Sequence, residues 1–348
     1  MLQIQGIHYA HPDRSSLFIE INLAVGALEK LALVGNNGSG KSTLLRIMAG
    51  EVFPQTGTVT ASEEPYYIPQ HFGQFDHWTV ARALRVQDKL AAIDRISAGD
   101  VSDADLMLLD GHWDIWQRCQ DALSHWKLGG LSVEASMRSL SGGQKTRVFL
   151  AGIRINSPGI LLLDEPSNHL DDEGRALLYD CIQSYRGCLV TVSHDRDLLE
   201  LFTGICELGP DRLTRYGGNF EFYQEQKQME TAALLDSLSD KERAYRKAKL
   251  VARQTMERQQ KLDAQGKKKQ QKAGVPTIAL NTLRNNAEKS TSKIKAVHTG
   301  KLKGIADEVH VLRQAIPDLE NMKLRLENPD THNGKILVRG QGINYNYG

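Results

Sequence analysis

The sequence predicts an α/β domain with a largely parallel sheet over residues 1–222, followed by a long antiparallel α-helical hairpin. In the first interval, short runs of β-branched residues or leucine alternate with helical stretches, as in βαβ units. After Tyr223 the composition changes to Gln, Lys, Arg, Glu and Ala, and Tyr245 is the only Phe, Trp or Tyr between 241 and 303. The second interval therefore lacks the side chains from which a globular core is built.

Three apolar runs, at residues 31–34, 160–163 and 188–192, are predicted to be strands of the sheet. In the hairpin we expect a first helix over 222–262, a basic connector, and a second helix over 280–328. The residues expected to interrupt helix in the connector are Gly266, Gly274 and Pro276. The second helix carries a coiled-coil seam of apolar residues, which are Ile305, Val309, Leu312, Ile316, Leu319, Met322 and Leu326. This seam is expected to pack against the first helix, with a kink at Pro317.

Composition excludes several classes of protein. The 348 residues are 41% hydrophobic and 24% charged, which fits a globular chain of about two domains. No apolar run approaches the roughly 18 residues of a membrane span, and the N-terminus lacks a signal-peptide pattern, so we expect a cytoplasmic protein. The four cysteines are at least seven positions apart and form no CxxC, which favours buried free thiols over disulfides or a zinc site.

Charge is distributed unevenly along the chain. Residues 241–303 contain 18 Lys/Arg and 4 Asp/Glu, a net charge of +14, while the other residues contain 25 Lys/Arg and 38 Asp/Glu, a net charge of −13. Such asymmetry indicates a nucleic-acid or other anionic partner for the basic segment, although many basic segments are only solvated surfaces.

A short internal repeat lies near the C-terminus. Residues 341–345 match residues 5–9 at four of five positions, directly after the hairpin. We therefore expect three regions, which are a nucleotide-binding domain over 1–222, a basic hairpin linker over 223–330, and the start of a second, truncated domain over 331–348. Whether such a chain is a fragment or a natural truncation stays open.

Residues 35–42 read GNNGSGKS and match the P-loop pattern GxxxxGK[ST] between an apolar strand and a helix. In a P-loop the backbone amides surround the phosphates, the lysine bridges the β- and γ-phosphates, and the hydroxyl residue binds Mg²⁺. Lys41 and Ser42 occupy these two positions. The predicted ATP-binding residues are Gly35, Asn36, Asn37, Gly38, Ser39, Gly40, Lys41, Ser42 and Thr43.

Two carboxylates, Asp164 and Glu165, follow the apolar run 160–163. A strand that ends beside a P-loop places such carboxylates next to the phosphates. We expect Asp164 to hold Mg²⁺, directly or through water, and Glu165 to polarise the attacking water as a general base.

Three further motifs follow in order, with LSGGQ at 140–144, SNHLD at 167–171 and SHD at 193–195. With the P-loop and the carboxylates, they make residues 1–222 resemble the ATP-binding cassette (ABC) ATPases, a P-loop fold with a helical subdomain. The resemblance implies that Gln70 is the Q-loop residue that senses γ-phosphate and metal, His194 the switch histidine, Asp171 the D-loop aspartate, and Tyr9 the aromatic residue that stacks on adenine. The helical subdomain is expected to pack around Trp78, Trp113, Trp116 and Trp126.

The signature motif also implies a partner. In the family it contacts the γ-phosphate bound to the opposite cassette, and here it comprises Ser141, Gly142, Gly143 and Gln144. A second cassette is therefore required, in cis in a longer chain or in trans as a homodimer. Whether this chain is active without a complete second cassette stays open.

A cassette followed by a charged helical hairpin and the start of another cassette resembles the ABC-F proteins, which are ATPases that act on the ribosome. The YGGNFEFY run at 216–223 supports this resemblance, while Ser167 stands where the family more often has Thr. The resemblance implies binding near the ribosomal tRNA exit site, in translation or in protection from antibiotics, which the sequence does not distinguish. The alternatives are a cassette subunit for a separate membrane transporter and a DNA-associated ATPase.

The basic hairpin is predicted to contact ribosomal RNA or tRNA through phosphates, because its tip has lysines but no aromatic residues for stacking. DNA presents the same phosphates and remains a second possibility. The candidate contacts are Lys267, Lys268, Lys269, Lys272, Lys289, Lys293 and Lys295.

Overall fold

The structure is a computed structural model that describes residues 1–10, 16–209, 212–272 and 277–315. It divides into two compact units, Met1–Gln228 and a second that begins at Met229. The strands are β1 (Leu2–Ala10), β2 (Ser16–Val25), β3 (Lys30–Val34), β4 (Thr56–Ala61), β5 (Tyr66–Ile68), β6 (Ile160–Asp164), β7 (Cys188–Val192), β8 (Gly204–Leu208) and β9 (Leu213–Gly217). The helices are α1 (Lys41–Met48), α2 (Val80–Ala83), α3 (Gln87–Ser97), α4 (Asp103–Leu109), α5 (Ile115–His125), α6 (Gly142–Asn156), α7 (Asp172–Ser184), α8 (Arg196–Leu199), α9 (Phe220–Lys272) and α10 (Thr277–Ala315).

The first unit contains the predicted parallel sheet. Its strand order is β5-β6-β7-β3-β8-β9, and all neighbours are parallel except β9, which runs antiparallel to β8. A separate antiparallel sheet has the order β2-β1-β4. Strands β3, β6 and β7, predicted from their apolar runs, lie next to one another in the larger sheet, so the expected α/β fold is confirmed.

Side chains of the parallel sheet alternate between two cores. Leu161 and Leu163 of β6 join a cluster with helices α5, α6 and α7, whereas Ile160 and Leu162 join a cluster with α1 and the antiparallel sheet. This is the period-two alternation of a strand that is covered on both faces. Because both faces are covered, the carboxyl ends of the strands remain the accessible edge of the sheet.

The segment between β5 and α6 forms the predicted helical subdomain, with helices α2, α3, α4 and α5. Trp126 is buried there and Trp78 is half-buried. The expectation that all four tryptophans pack inside is wrong for Trp113 and Trp116, whose exposures are 54% and 41%. Trp113 lies in the turn before α5 and Trp116 lies in its first turn, where Ile115 and Cys119 are the buried residues instead.

The four cysteines are free thiols. Cys119, Cys188 and Cys206 are buried as expected, and Cys181 is half-buried. Burial raises the pKa of each thiol, so these side chains behave as small apolar groups.

Helices α9 and α10 pair as the predicted antiparallel hairpin. Lys241 donates to Glu308 and Arg313 donates to Glu242, each at 2.5 Å. On the seam, Ile305, Val309 and Leu312 are half-buried. The remaining seam positions 316, 319, 322 and 326, the expected kink at Pro317, and the repeat at 331–348 lie outside the described residues.

The predicted boundaries of the hairpin need correction. Helix α9 continues through Gly266 to Lys272, ten residues beyond the expected end, and α10 begins at Thr277. A single glycine costs a helix only about 1 kcal/mol, which the surrounding helix-forming Lys and Gln residues offset.

Within the described residues, no helix is both long and apolar enough to cross a bilayer.

Candidate functional site

The P-loop connects the end of β3 to the start of α1. At its last position Gly40 has φ +95°, and a Cβ there would lie 2.7 Å from the Phe18 ring and 2.8 Å from the Leu17 side chain. Only glycine satisfies both the backbone conformation and this contact. The α1 ladder begins at once, since the Leu44 amide donates to the Gly40 carbonyl at 2.8 Å. The loop amides and the helix N-terminus thus face the same space, an arrangement suited to phosphate.

Lys41 folds back over the loop. Its Nζ donates to the carbonyl oxygens of Gly35 at 2.8 Å and Asn36 at 3.1 Å, and only 8% of the residue is exposed. Burial lowers the pKa of the Lys41 ammonium, and the nearby carboxylates Glu165 and Asp164 oppose that shift. A buried ammonium whose partners are two neutral carbonyl groups would gain a stronger partner from a bound phosphate.

Asp164 ends β6 and is buried. Its Oδ1 accepts a hydrogen bond from Ser42 Oγ at 3.1 Å, and its Oδ2 accepts one from Tyr67 Oη at 3.5 Å. Burial raises the pKa of Asp164, while the hydrogen bonds from Ser42 and Tyr67 act in the opposite direction. Sequence reasoning missed Tyr67, because nothing in a three-residue strand marks its contact with a carboxylate.

Glu165 lies directly after the strand in a left-handed conformation, with φ +49°. Its Oε2 accepts a hydrogen bond from the His194 backbone N–H at 3.3 Å, and its Oε1 lies 3.4 Å from His194 Nε2. Burial raises the pKa of Glu165 to about 7, and the His194 amide partly opposes the shift. Burial lowers the pKa of His194, and the positive charge of the nearby Lys41 lowers it further. Such backbone strain in a non-glycine residue is typical of functional sites.

These groups surround one cavity of about 590 Å³. The P-loop, Gln70, Glu165 and His194, which are far apart in the sequence, are brought together here. The lining residues are Leu17, Asn37, Gly38, Gly40, Lys41, Ser42, Thr43, Gln70, Glu165, Asn168, Val192 and His194. Sequence reasoning missed Leu17, Asn168 and Val192, of which only Asn168, inside the SNHLD motif, had a signal in the sequence.

Tyr9 is not among the described residues that line this cavity. It lies on β1, half-buried, with its ring centroid 6.4 Å from that of Phe18, and Phe18 packs beside Gly40. Tyr9 therefore lies beside the P-loop, next to the cavity but outside its lining.

The signature residues begin α6 and lie outside the cavity lining. Ser141 caps the helix, since its Oγ accepts from the Gln144 amide at 3.3 Å and the Gln144 side chain accepts from the Ser141 amide at 2.9 Å. Ser141, Gly142 and Gln144 are exposed. This capping box holds the helix N-terminus open toward solvent, where a second cassette has access to it.

The D-loop aspartate, Asp171, caps α7. Its Oδ1 accepts from the Gly174 amide at 2.9 Å and from Arg147 Nη2 at 2.5 Å, and these hydrogen bonds lower the pKa of Asp171. The preceding loop packs closely against the signature, because a Cβ on Gly143 would lie 2.5 Å from the His169 carbonyl oxygen. The signature and D-loop are thus adjacent within one cassette.

The candidate lysines of the hairpin occupy both helices. Lys267, Lys268, Lys269 and Lys272 are positions of α9 and Lys289 is a position of α10, with side chains outside the described part of the chain. Lys293 and Lys295 of α10 are exposed.

Comparison with known proteins agrees with this geometry. A family model described as ABC transporter matches residues 18–168. The chain is 32% identical over 233 residues to the probable ATP-binding protein YbiT of Escherichia coli O157:H7, covering 66% of this chain and 40% of that protein. Residues 18–168 belong to the ABC ATPase domain family. YbiT is an ABC-F protein, as are several other relatives that match, so the ABC-F resemblance is confirmed over the matched N-terminal part.

A second relative of this ABC ATPase is the tylosin resistance ATP-binding protein TlrC of Streptomyces fradiae, 31% identical over 251 residues, with 64% of this chain and 45% of that protein covered. The chain thus spans less than half the length of both relatives. Among solved structures, an ATP-binding subunit of an ABC transporter matches with a TM-score of 0.51 at 19% identity, covering 66% of this chain and 93% of the other, which supports the fold.

The contact between Gly143 and His169 gives a stability prediction. We expect Gly143→Ala to lower the free energy of unfolding of the ABC ATPase unit by about 1–3 kcal/mol, because the added methyl group overlaps a backbone carbonyl. Gly142→Ala is the matched control, since its Cβ would meet only the His169 ring at 3.5 Å. Urea unfolding of both variants measures the difference, and equal midpoints would contradict the close packing.

Proposed function

We propose that this chain binds ATP with Mg²⁺ in the cavity beside the P-loop and hydrolyses ATP to ADP and phosphate. The observation that carries the proposal is the convergence of Lys41, Ser42, Gln70, Glu165 and His194 on one cavity.

The residues present fit Mg²⁺. Ser42 Oγ and Asp164 Oδ1 lie 3.1 Å apart, and Gln70 adds an amide oxygen to the same cavity. Mg²⁺ prefers oxygen ligands and commonly takes only one or two groups from the protein besides phosphate and water. We propose that Ser42, Asp164 and Gln70 hold it, and a bound Mg²⁺ would neutralise charge on the β- and γ-phosphate oxygens.

Glu165 is proposed as the general base. Its carboxylate borders the cavity, and His194 holds it through the backbone amide at 3.3 Å. A pKa of about 7 suits a base that works near neutral pH, because about half of the carboxyl groups are deprotonated there and the carboxylate accepts a proton readily. Lys41, released from the Gly35 and Asn36 carbonyls, would bind the β- and γ-phosphates.

A complete site is proposed to need a second cassette. Gly142 and Gly143 begin α6 outside the cavity lining, so we propose that their amides bind the γ-phosphate on another cassette, while Ser141, whose amide already donates to Gln144, offers its hydroxyl. We propose head-to-tail pairing, with Asp171 at the shared interface and with Tyr9 stacking on adenine. The partner cassette lies in cis in a longer chain or in trans as a second copy.

We further propose that this protein is a cytoplasmic ATPase acting on the ribosome. Support comes from the ABC-F relatives and from a hairpin whose segment 241–303 has a net charge of +14. Phosphates of rRNA or tRNA are the proposed contacts of Lys293, Lys295 and the lysines nearer the tip. TlrC, a tylosin resistance protein, makes protection of ribosomes from antibiotics one form of this function.

The role of Glu165 predicts the behaviour of Glu165→Gln. We expect ATP affinity to change less than about twofold and the hydrolysis rate to fall at least about 100-fold, the typical loss when a general base is removed. Glu173→Gln, at an exposed position of α7, is the control and should retain the rate. Equilibrium binding of a fluorescent ATP analogue and phosphate release measure the two effects. Unchanged turnover in Glu165→Gln would remove Glu165 from its role.

The raised pKa of Glu165 predicts a pH profile. Hydrolysis requires the deprotonated carboxylate, so kcat/KM should rise with pH and reach half its maximum near pH 7, with a slope of one on the acid side. An ordinary carboxyl group would place this midpoint near pH 4–5. The residual activity of Glu165→Gln should lose the acid limb. A profile that is flat between pH 5.5 and 8 would contradict the assignment.

Co-sedimentation with ribosomes tests the ribosomal role. We expect Glu165→Gln to pellet with ribosomes in the presence of ATP, and to dissociate steeply as salt rises, because phosphate contacts release counterions. Adding Lys293→Gln and Lys295→Gln should weaken binding and reduce the salt slope by about 1–2, whereas Arg138→Gln with Arg154→Gln removes the same charge from the cassette and should not.

Different outcomes would favour the alternatives. If ATP binds but the protein does not pellet with ribosomes, either a complete second cassette is required or the ribosomal role fails, and the same test on a chain extended through a second cassette separates these two cases. Stimulation of hydrolysis by branched DNA would then indicate the DNA-associated ATPase, and co-purification with a membrane permease would indicate a transporter subunit.

A further inference from the structure

The segment after Gln70 and the segment before the signature form one hydrogen-bonded unit. The Val80 amide donates to the Ala135 carbonyl and the Met137 amide donates to the Trp78 carbonyl, both at 2.9 Å. The Ser136 hydroxyl donates to the Asp76 carbonyl at 3.3 Å. The segment that follows Gln70, which itself lines the cavity, is therefore joined by hydrogen bonds to the lead-in of α6.

Aromatic rings extend this unit to α6 itself. Phe149 of α6 stacks on Phe72 at 5.0 Å between ring centroids and contacts Phe75 at 5.3 Å. Phe75 in turn packs edge-on against Trp78 at 4.5 Å. These contacts fix the middle of α6 to the residues that follow Gln70, but they lie two turns from the signature.

An ion pair makes the connection beside the signature. Lys145 Nζ donates to Asp76 Oδ1 at 2.5 Å, with side-chain exposures of 13% for Lys145 and 41% for Asp76. Lys145 follows Gln144 of the signature directly, and Asp76 lies six residues after Gln70. A charge-assisted hydrogen bond at a largely buried lysine is stronger and less screened than an exposed pair.

A second ion pair holds another side of the same helix. Arg147 Nη2 donates to Asp171 Oδ1 at 2.5 Å, and the Arg147 side chain is also 13% exposed. Residues two positions apart on a helix point about 200° apart, so Lys145 and Arg147 act on nearly opposite faces of α6. The first turns of α6 are therefore held between the Gln70 segment and the D-loop.

We propose that Lys145 is a positioning residue. Through its ion pair with Asp76, it transmits the presence of a γ-phosphate at Gln70 to the signature motif. The Arg147–Asp171 pair holds the opposite face of α6 in place. The proposal rests on the proposed function, since it assumes that Gln70 responds to γ-phosphate. Movement of the Gln70 segment would then shift α6 at Lys145 and change the direction in which Ser141 and Gly142 face a second cassette.

Hydrogen exchange of the whole chain, in the Glu165→Gln background, tests this directly. We expect a non-hydrolysable ATP analogue, compared with ADP, to slow exchange in residues 36–44, 70–78 and 141–149. Lys145→Met should abolish the effect at 141–149 and leave the other two regions unchanged. Lys145→Arg should retain it, because Arg preserves the charge, and Glu173→Gln, which breaks the exposed Lys127–Glu173 pair, is the control.

Steady-state kinetics supply a second readout, because a merely structural role of Lys145 would not lower kcat while leaving KM for ATP unchanged. We expect Lys145→Met and Asp76→Asn each to lower kcat about tenfold while KM for ATP stays within about twofold, since each removes the same charge-assisted hydrogen bond. The double variant should lose no more than either single variant. Exchanging the charges, with Lys145→Asp and Asp76→Lys together, should recover part of the rate.

The outcomes separate this proposal from the proposed function. If the ATP analogue protects neither residues 36–44 nor 70–78 in the parent chain, ATP binding at this site fails. If those regions respond but 141–149 does not, or if Lys145→Met keeps the response at 141–149, the ion pair is not the connection and the proposal is overturned.

Discussion

The structure depends on two adjacent carboxylates, Asp164 and Glu165, that are held almost without solvent exposure at the end of β6. An ionised carboxylate in such a place is costly unless hydrogen bonds or an opposite charge offset its desolvation. Ser42 and Tyr67 hydrogen-bond to Asp164, the His194 amide hydrogen-bonds to Glu165, and Lys41 provides the nearby positive charge. These partners come from three separate elements, which are the P-loop with the start of α1, strand β5 and the loop after β7, so satisfying the two carboxylates requires all three to assemble correctly.

The parallel sheet brings these partners together, because its strands end at the same edge. Strands β3, β6 and β7 are neighbours, and each is followed at its carboxyl end by a site segment, which are the P-loop, the carboxylates and the loop with His194. Covering both faces of the sheet leaves only this edge open to a ligand. The signature helix begins elsewhere, capped toward solvent, which agrees with a motif that acts on another cassette. The P-loop, the carboxylates and His194 therefore form a site within one cassette, whereas the signature lies apart from that site and is proposed to act on a second cassette.

The sequence predicted the features that depend on local pattern. The P-loop spacing, the strand ending in Asp164 and Glu165, and the seam that includes Ile305 and Val309 each follow from residues close together in the chain. Three-dimensional contacts were inaccessible for the same reason: Tyr67 on β5 reaches Asp164 on the neighbouring strand β6, Leu17 packs on Gly40, and Asp76 meets Lys145 over 69 positions. The predicted end of α9 was wrong because Gly266 was expected to break the helix, whereas the summed helix propensity of the Lys and Gln residues around it prevailed. The inward packing of Trp113 and Trp116 was wrong because apolarity alone does not tell which side of a helix faces the core.

The hairpin differs from the cassette in how its stability is distributed. Among the hairpin residues whose side chains the structure describes, which are 229–265, 292–293 and 295–314, the side chains are exposed or half-buried, and the ion pairs Lys241–Glu308 and Arg313–Glu242 lie on the surface. Exposed pairs each contribute at most about 1 kcal/mol, and a half-buried seam contributes in small increments along its length. The loss of any one of these contacts therefore removes only a small part of the pairing free energy, and the two helices stay paired through the contacts that remain.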